Sequence, residues 1–242
     1  MPAKLEPNDT TVTDFARRSP VYRRLIAHGA RFGEAWGAAV ALDFGDAEAE
    51  ARHGRGIGLA DLSPLPRVGF KGAGAIEWLV NQGVVLEAVP NRAWRQPGGE
   101  LAVVRSKSEA LILSGVAVQG RLCAELEARS AEAAKVRAYL LPRFDALFRF
   151  ALTGGLAHEC MAKLCSVDLR PATFGDLSVA QTLVAGVGAV VTRWDLGSAA
   201  AFNLLGDRAA ADYFWNCLSD SMEEFGGRVV GLTALRLMAG RD

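Results

Sequence analysis

The sequence predicts an α+β protein built from two pseudo-repeated split βαβ (ferredoxin-like) units, in which helices cover one face of an antiparallel sheet. Three observations predict this class. Apolar residues alternate with period two in some segments and recur at helical spacing in others. The order strand–helix–strand–strand–helix–strand occurs twice, about 80 residues apart. Half of the residues, 50%, are hydrophobic and 22% are charged, as expected for a chain with a sizeable core.

Residues 1–45 are predicted to form an N-terminal arm and a short helix. The first twenty residues are rich in Pro, Asp and Thr, which is typical of a disordered or loosely draped arm. An amphipathic helix is expected after Pro20, because Tyr22, Leu25 and Ile26 share one side and Gly29 follows as a stop signal.

Residues 46–145 are predicted to form the first unit. An exposed helix or turn is expected over 46–55, where alanine alternates with charge. Alternation and helical spacing then predict a strand over 67–71, a helix over 73–82, strands over 101–104 and 110–113, and a long helix over 121–141. Pro142 is expected to end that helix.

Residues 146–242 are predicted to form the second unit, and both units are expected to make one compact domain. The predicted elements are a strand over 146–152, a helix after Gly154, strands over 179–185, 189–195 and 202–205, a helix capped by Asp207, and a strand over 228–232. Phe214 and Trp215 lie on the apolar stripe of the last predicted helix, which favours a place in the core over one at an interface.

The overall composition gives no support to nucleic-acid or membrane partners. Lys plus Arg and Asp plus Glu both number 27, so no net charge favours nucleic acid or an anionic membrane. The polar start is neither a secretory signal nor an anchor, and no run reaches the roughly 18 apolar residues of a spanning helix. We therefore expect a cytoplasmic chain without a nucleic-acid or membrane partner.

Cysteine and histidine spacing predicts no metal site and no catalytic thiol. The four cysteines contain no CxxC pair, so they are expected to be reduced and packed as small apolar residues. His158 and Cys160 are two apart on a predicted helix and point to different faces, which favours a surface histidine and a packed cysteine. Trp94 and Arg95 are interpreted as an interface anchor rather than a ligand clamp.

The stretch G-L-A-D-L-S-P-L-P-R-V-G-F-K-G, residues 58–72, looks like a ligand loop but matches no phosphate-binding motif. Gly58 is expected to permit a turn, and Asp61 and Ser63 are expected to cap nearby backbone amides. The interpretation from the residues alone is structural.

The same stretch also resembles a family. G-L-A-D-L-S with its strand, K-G and helix is similar to the folate-binding aminomethyltransferases, the glycine-cleavage T-protein and its relatives in sarcosine and dimethylglycine oxidation. G-L-T-A-L-R-L-M-A-G, residues 231–240, is similar to their closing motif. K-L-C-S-V-D-L-R-P, residues 163–171, resembles the family's small member, the gamma subunit of heterotetrameric sarcosine oxidase.

This resemblance implies a T-protein-like folate-binding fold of two α+β units, without the C-terminal barrel of the T-proteins. It also implies larger partner subunits that carry FAD and tetrahydrofolate, with no cofactor in this chain. The relatives' G-G-x-x-D-D stretch corresponds to residues 98–103, where Glu100 is the sole carboxylate. Their second folate-contacting Glu has no counterpart, and Arg193 and Asp195 stand nearby. If folate binds, Glu100, Arg193 and Asp195 are the expected contacts.

Retained scaffold motifs beside lost carboxylates predict a gamma-type, non-catalytic subunit of a flavin- and folate-linked amine oxidase or demethylase. The alternative is a stand-alone tetrahydrofolate-dependent demethylase or aminomethyltransferase with a site rebuilt around Glu100, Arg193 and Asp195. A third hypothesis is a folate-fold scaffold for an unrelated partner, for instance in iron–sulfur repair. It ranks last because those relatives carry a K-G-C-Y-x-G-Q/E stretch that this sequence lacks.

Overall fold

The computed structural model describes residues 12–117 and 120–240. Most of the predicted disordered arm, residues 1–11, lies outside the described residues. From residue 12 onwards the arm is packed, because Val12 and Val21 are buried in the same apolar cluster as Leu25 of the first helix. A 3-10 turn at Val12–Asp14 precedes that helix. The described part of the arm is therefore part of the folded protein.

The described residues form helices and strands in roughly equal share. The helices are α1 (Tyr22–Ala27), α2 (Ala47–Ile57), α3 (Ala75–Asn81), α4 (Arg121–Ala128), α5 (Ser130–Lys135), α6 (Arg143–Ala146), α7 (Ala157–Ala162), α8 (Ala211–Glu223) and α9 (Leu232–Met238). The strands are β1 (Arg31–Ala35), β2 (Ala38–Asp43), β3 (Gly58–Asp61), β4 (Arg67–Lys71), β5 (Arg92–Arg95), β6 (Leu101–Ser106), β7 (Glu109–Leu113), β8 (Tyr139–Leu141), β9 (Leu147–Thr153), β10 (Val179–Val184), β11 (Val187–Arg193), β12 (Ala201–Asp207) and β13 (Arg228–Val229).

Two larger sheets and one hairpin organise these strands. The first sheet has the order β5-β6-β7-β4-β8 and is antiparallel throughout. The second has the order β10-β11-β12-β9-β3-β13 and is antiparallel except for the parallel pair of β3 and β13. β1 and β2 form the hairpin. The predicted α+β class with antiparallel sheets is confirmed, and no sheet among the described strands closes into a barrel.

The two sheets pack face to face with helices on their outer sides. Alternate residues of the first sheet point outward to α3, α4 and α5, as Ala102 and Ile112 do. The intervening residues, such as Val103 and Leu111, point inward and meet Val190 and Leu205 of the second sheet. On its other face the second sheet packs against α7 and α8, the helices that carry Met161, Phe214, Trp215 and Leu218. Phe214 and Trp215 are core residues, as predicted.

One strand crosses the predicted boundary between the units. β3 belongs to residues 46–145, yet it pairs with β9 and β13 in the sheet built from residues 146–242. Gly58 lies in this strand with an extended backbone, so the predicted turn at Gly58 is wrong. Added at Gly58, a Cβ would contact the Gly54 backbone at 2.9 Å, so the glycine serves close packing with α2. The stretch 58–72 is thus two strands and their connection, with Asp61 accepting a 3.0 Å hydrogen bond from the Ser63 amide as predicted.

Two predicted elements differ from the structure, and several short strands were missed. The long helix expected over 121–141 is two short helices, α4 and α5, followed by strand β8. The closing strand expected over 228–232 is the two-residue β13, and helix α9 begins at Leu232. The edge strands β5 and β8 and the β1–β2 hairpin were not predicted, because they are short or lack clear alternation. No helix among the described residues is both long and apolar enough to cross a membrane.

Candidate functional site

A cavity of about 150 Å³ lies between the two sheets at one end of their shared apolar layer. Its wall combines the β5–β6 connection, the chain after β7, strands β9 and β12, and the segment after β11. Val190, Leu205 and similar residues fill the remainder of the layer. Polar side chains interrupt the apolar pattern at the cavity, and the buried polar residues in its lining are Gln96, Glu100, Arg149 and Asn203. The cavity therefore interrupts the apolar packing between the two sheets.

Asp195 lines this cavity, and Arg193 lies beside it. The guanidinium of Arg193 donates from Nε to Asp195 Oδ1 at 2.9 Å and from Nη2 to Oδ2 at 3.0 Å. The Ala201 amide donates to the same Oδ1 at 3.2 Å. Since both carboxylate oxygens already accept from the protein, Asp195 is a structural acceptor that ties the end of β11 to β12.

Glu100 also lines the cavity and is 4% exposed. Its side chain folds back along the preceding loop, because a Cβ added at Gly98 would come within 2.5 Å of Glu100 Oε2. None of the described side chains or amides donates a hydrogen bond to this carboxylate. Of the three predicted contact residues, Glu100 alone keeps free acceptor oxygens, and Gly98 provides the room for them.

The charged side chain that the sequence analysis missed is Arg149. It lies on β9, is 1% exposed and lines the cavity. Nε and Nη2 donate to Asn203 Oδ1 at 2.9 and 2.8 Å, and Nη1 donates to the Ser114 carbonyl at 2.7 Å. Burial lowers the pKa of the guanidinium to about 9, so it remains protonated at neutral pH. A single charge inside the apolar run Leu147–Leu152 was the available sequence signal.

Arg149 joins the two sheets at the cavity. Asn203 belongs to β12 of the second sheet, whereas Ser114 directly follows β7 of the first. The Arg149 guanidinium carbon lies 5.6 Å from the centre of the Trp194 ring, within cation–π range. Trp194 in turn packs its outer ring atom near Gly115. The guanidinium is held in place by both sheets and by an indole face.

The mouth of the cavity carries a second ionic network. Arg95 is exposed and pairs with Asp176 at 2.6 Å, and Asp176 accepts a hydrogen bond from the Asp195 amide at 3.0 Å. Gly197 is the other exposed residue of the lining. Arg95 thus contributes to the rim, and Trp94 is half-buried against the first unit's core. Their predicted role as an interface anchor stays a prediction.

The remaining candidates do not form a reactive site. Cys160 is fully buried in the core and His158 is partly exposed on α7, as their spacing predicted. All four cysteines are free thiols. Within residues 12–117 and 120–240, no group of three or more His, Cys, Asp or Glu side chains is arranged to hold a metal ion.

Comparison with known proteins gives structural matches alone. No family model matches the sequence, and no curated protein sequence matches it. The fold is similar to the glycine cleavage system aminomethyltransferase T of Bartonella henselae, with a TM-score of 0.70 and 17% identity over 92% of this chain. It is also similar to a chain of heterotetrameric sarcosine oxidase from Corynebacterium sp. U-96, with a TM-score of 0.64 and 20% identity over 86% of this chain.

The two matches differ in how much of the known protein is covered. This chain spans 62% of the aminomethyltransferase and 96% of the sarcosine oxidase chain. At 17% and 20% sequence identity, the two matches show similarity of fold alone. The chain therefore has the fold that its sequence resemblance predicted, that of a glycine-cleavage aminomethyltransferase T and of a chain of heterotetrameric sarcosine oxidase.

Proposed function

We propose that this chain is a gamma-type, non-catalytic subunit of a flavin- and folate-linked heteromeric amine oxidase or demethylase of the sarcosine oxidase type. In this proposal the larger partner subunits carry FAD and tetrahydrofolate, and this chain packs against them. It needs neither nucleic acid nor a membrane. The four free thiols suit a reducing compartment, so we place its work in the cytoplasm.

The observation that carries the proposal is the charge at the cavity. In the catalytic relatives implied by the resemblance, a carboxylate near the pterin stabilises positive charge that develops during one-carbon transfer. Here the buried, protonated group that lines the cavity is Arg149, and a cation opposes such charge development. Asp195 is fully used by Arg193 and the Ala201 amide. Among the three predicted contact residues, Glu100 is the one whose carboxylate oxygens would be available to a pterin.

The arrangement of the two sheets supports the predicted pseudo-repeat. The orders are β5-β6-β7-β4-β8 in one sheet and β10-β11-β12-β9-β13 in the other once the inserted β3 is set aside. Each run starts with an interior strand, β4 or β9, and continues through a helix and a three-stranded meander. It then returns to the far edge, through α4 and α5 in the first sheet and through α8 in the second. We propose that the two sheets are pseudo-repeats of one split βαβ unit.

Affinity purification of a tagged copy from its native host tests the partner assignment. We expect a stable complex with larger subunits and the yellow absorbance of bound flavin. Recovery of the chain by itself, with no flavoprotein at any salt concentration used, would contradict the proposal. The same purification from a strain lacking the tag serves as the control.

Calorimetric titration of the isolated chain with tetrahydrofolate separates the proposal from the stand-alone enzyme. Because each pterin donor left without an acceptor costs about 1–3 kcal/mol, we expect no binding in the micromolar range. Micromolar binding that Glu100→Gln abolishes would instead support a tetrahydrofolate-dependent demethylase or aminomethyltransferase.

A further inference from the structure

The environment of Arg149 is incomplete for a buried cation. None of the described carboxylates lies within 4.0 Å of its guanidinium, although ion pairs occur elsewhere in the molecule. Its acceptors are one amide oxygen and one carbonyl oxygen, reached by three hydrogen bonds. A guanidinium has five N–H groups, so two of them have no acceptor among the described residues.

Arg67 shows how this fold treats a buried guanidinium that is purely structural. Its Nη1 donates to the Ser63 and Leu65 carbonyls, at 2.8 and 2.9 Å. Its Nη2 donates to two further carbonyls, those of Phe144 and Leu147. Arg67 does not line the cavity between the sheets; four backbone carbonyls accept hydrogen bonds from it, and its Nε–H alone has no acceptor among the described residues. Arg149 has half as many acceptor atoms and borders an open space instead.

An uncompensated buried charge is unfavourable, and burial alone pulls the guanidinium toward deprotonation. A carboxylate is the group whose geometry matches two parallel N–H donors of arginine. The backbone of Arg149 is already occupied, since its amide bonds to Ser63 Oγ and its carbonyl to the Leu62 amide. The side chain is therefore the part of Arg149 that is available to the cavity.

We propose that the cavity between the two sheets binds a small organic carboxylate, whose oxygens accept hydrogen bonds from the free N–H groups of Arg149. The ligand would enter past Gly197 and Arg95 at the mouth. The volume of about 150 Å³ is comparable to that of an engineered cavity known to hold benzene, so a monocyclic carboxylate is of suitable size. This inference shares the Arg149 observation with the proposed function but does not require the partner subunits, and it assigns the cavity to an anion rather than to a pterin.

Benzoate and benzamide are matched probes for this proposal, because they share shape and differ in charge. In calorimetric titrations of the full chain we expect benzoate to bind at least tenfold more tightly than benzamide. We also expect benzoate to shift the side-chain Nε–Hε NMR resonance of Arg149 and to raise the unfolding temperature. Equal binding of the two probes, or binding of neither, would overturn the proposal.

Substitutions locate the binding. Arg149→Gln should lower benzoate affinity tenfold or more, and Arg149→Lys should retain part of it because the charge remains. Arg24→Gln is the matched control, since Arg24 forms an exposed pair with Asp212 on the outer face and should leave benzoate affinity unchanged. If Arg149→Gln does not fold, the probe selectivity and the Arg149 resonance of the unsubstituted chain still decide. Loss of benzoate affinity in Arg24→Gln equal to that in Arg149→Gln would refute the assignment.

Discussion

At the scale of single residues, burial shifts the pKa values of two arginines and two cysteines. Arg67 and Arg149 are both fully enclosed, and burial lowers the pKa of the first to about 10 and of the second to about 9. The same desolvation raises the pKa of the Cys123 thiol to about 12 and that of Cys160 to about 11, because a thiolate is poorly stabilised in an apolar core. These groups therefore keep their proton at neutral pH.

The burial of the cysteines predicts which of them react with an alkylating reagent in the folded protein. Alkylation requires the thiolate and access to it, and Cys217 is the half-buried cysteine while Cys123, Cys160 and Cys165 are buried. With iodoacetamide at about pH 8 we expect modification at Cys217 alone, measured by peptide mass spectrometry. Unfolding in urea should expose all four cysteines.

Cys217→Ser is the control for this experiment and should abolish labelling of the folded chain. Rapid labelling of Cys123 or Cys160 under native conditions would show that the core around them opens. Because both thiols titrate well above their usual range, raising the pH from 7 to about 8.5 should leave their labelling slow.

The residues named from the sequence lie at the cavity and their contact with folate stays a prediction, whereas the buried arginine of the cavity was missed. Glu100 and Asp195 both line the cavity, and Arg193 holds Asp195, so the three predicted residues come together. The hydrogen bond from the Ala201 amide to Asp195 was not predictable, because it depends on how the connection between β11 and β12 folds and not on a sequence motif. Arg149 lies in the middle of an apolar strand, where alternation assigns a face but says nothing of a cavity opposite.

At the scale of elements, the break of the predicted helix over 121–141 has a physical cause. Helix α5 ends at Lys135, and Arg137 adopts a left-handed backbone with φ of 58°. There the turn rests on the β4–α3 connection, where a Cβ added to Gly72 or Gly74 would overlap the carbonyl oxygens of Arg137 and Val136. The turn releases Tyr139–Leu141 to pair with β4, and this tertiary gain overrides helix propensity.

Gly74→Ala tests this contact. Gly74 has a φ of −96°, so the substitution adds no backbone strain and acts through the steric overlap with the Val136 carbonyl. We expect the free energy of unfolding to fall by about 2–3 kcal/mol, measured by urea denaturation. Gly188→Ala is the matched control, because an added Cβ there has nothing within 4 Å.

A small effect of Gly74→Ala, equal to that of Gly188→Ala, would contradict this account and would mean that the turn over residues 136–138 shifts easily to make room for the added methyl group.

The strands β4 and β9 were predicted within a residue or two, since their alternation of apolar and polar residues is clear. Short edge strands and α9 depend on docking to neighbours, which the local sequence does not encode.

At the scale of the whole molecule, the two sheets share one apolar layer and one bridging guanidinium. Leu205 of the second sheet is 1% exposed and packs with Val103 and Leu111 of the first. Arg149 also connects both sheets through Asn203 and the Ser114 carbonyl. The two predicted units should therefore unfold together rather than separately.

Urea unfolding followed by far-ultraviolet circular dichroism and by tryptophan fluorescence tests this cooperativity. We expect coincident transitions, and we expect Leu205→Ala to lower the free energy of unfolding by about 2–5 kcal/mol with both probes. Leu183→Ala is the control, since Leu183 is 61% exposed on β10 and should change stability by less than about 0.5 kcal/mol. Two separate transitions, with Leu205→Ala displacing one of them, would contradict shared unfolding.

The placement of β3 has a consequence for biosynthesis. Gly58 of β3 pairs with Thr153 of β9, so β3 leaves the ribosome long before the strand with which it pairs. At about 5–20 residues per second, translation leaves this stretch without its later partners for several seconds. During that interval Leu59 and Ala60 have no partner strand, and their apolar side chains and backbone groups are exposed. We expect a chaperone to shield them until β9 has been synthesised.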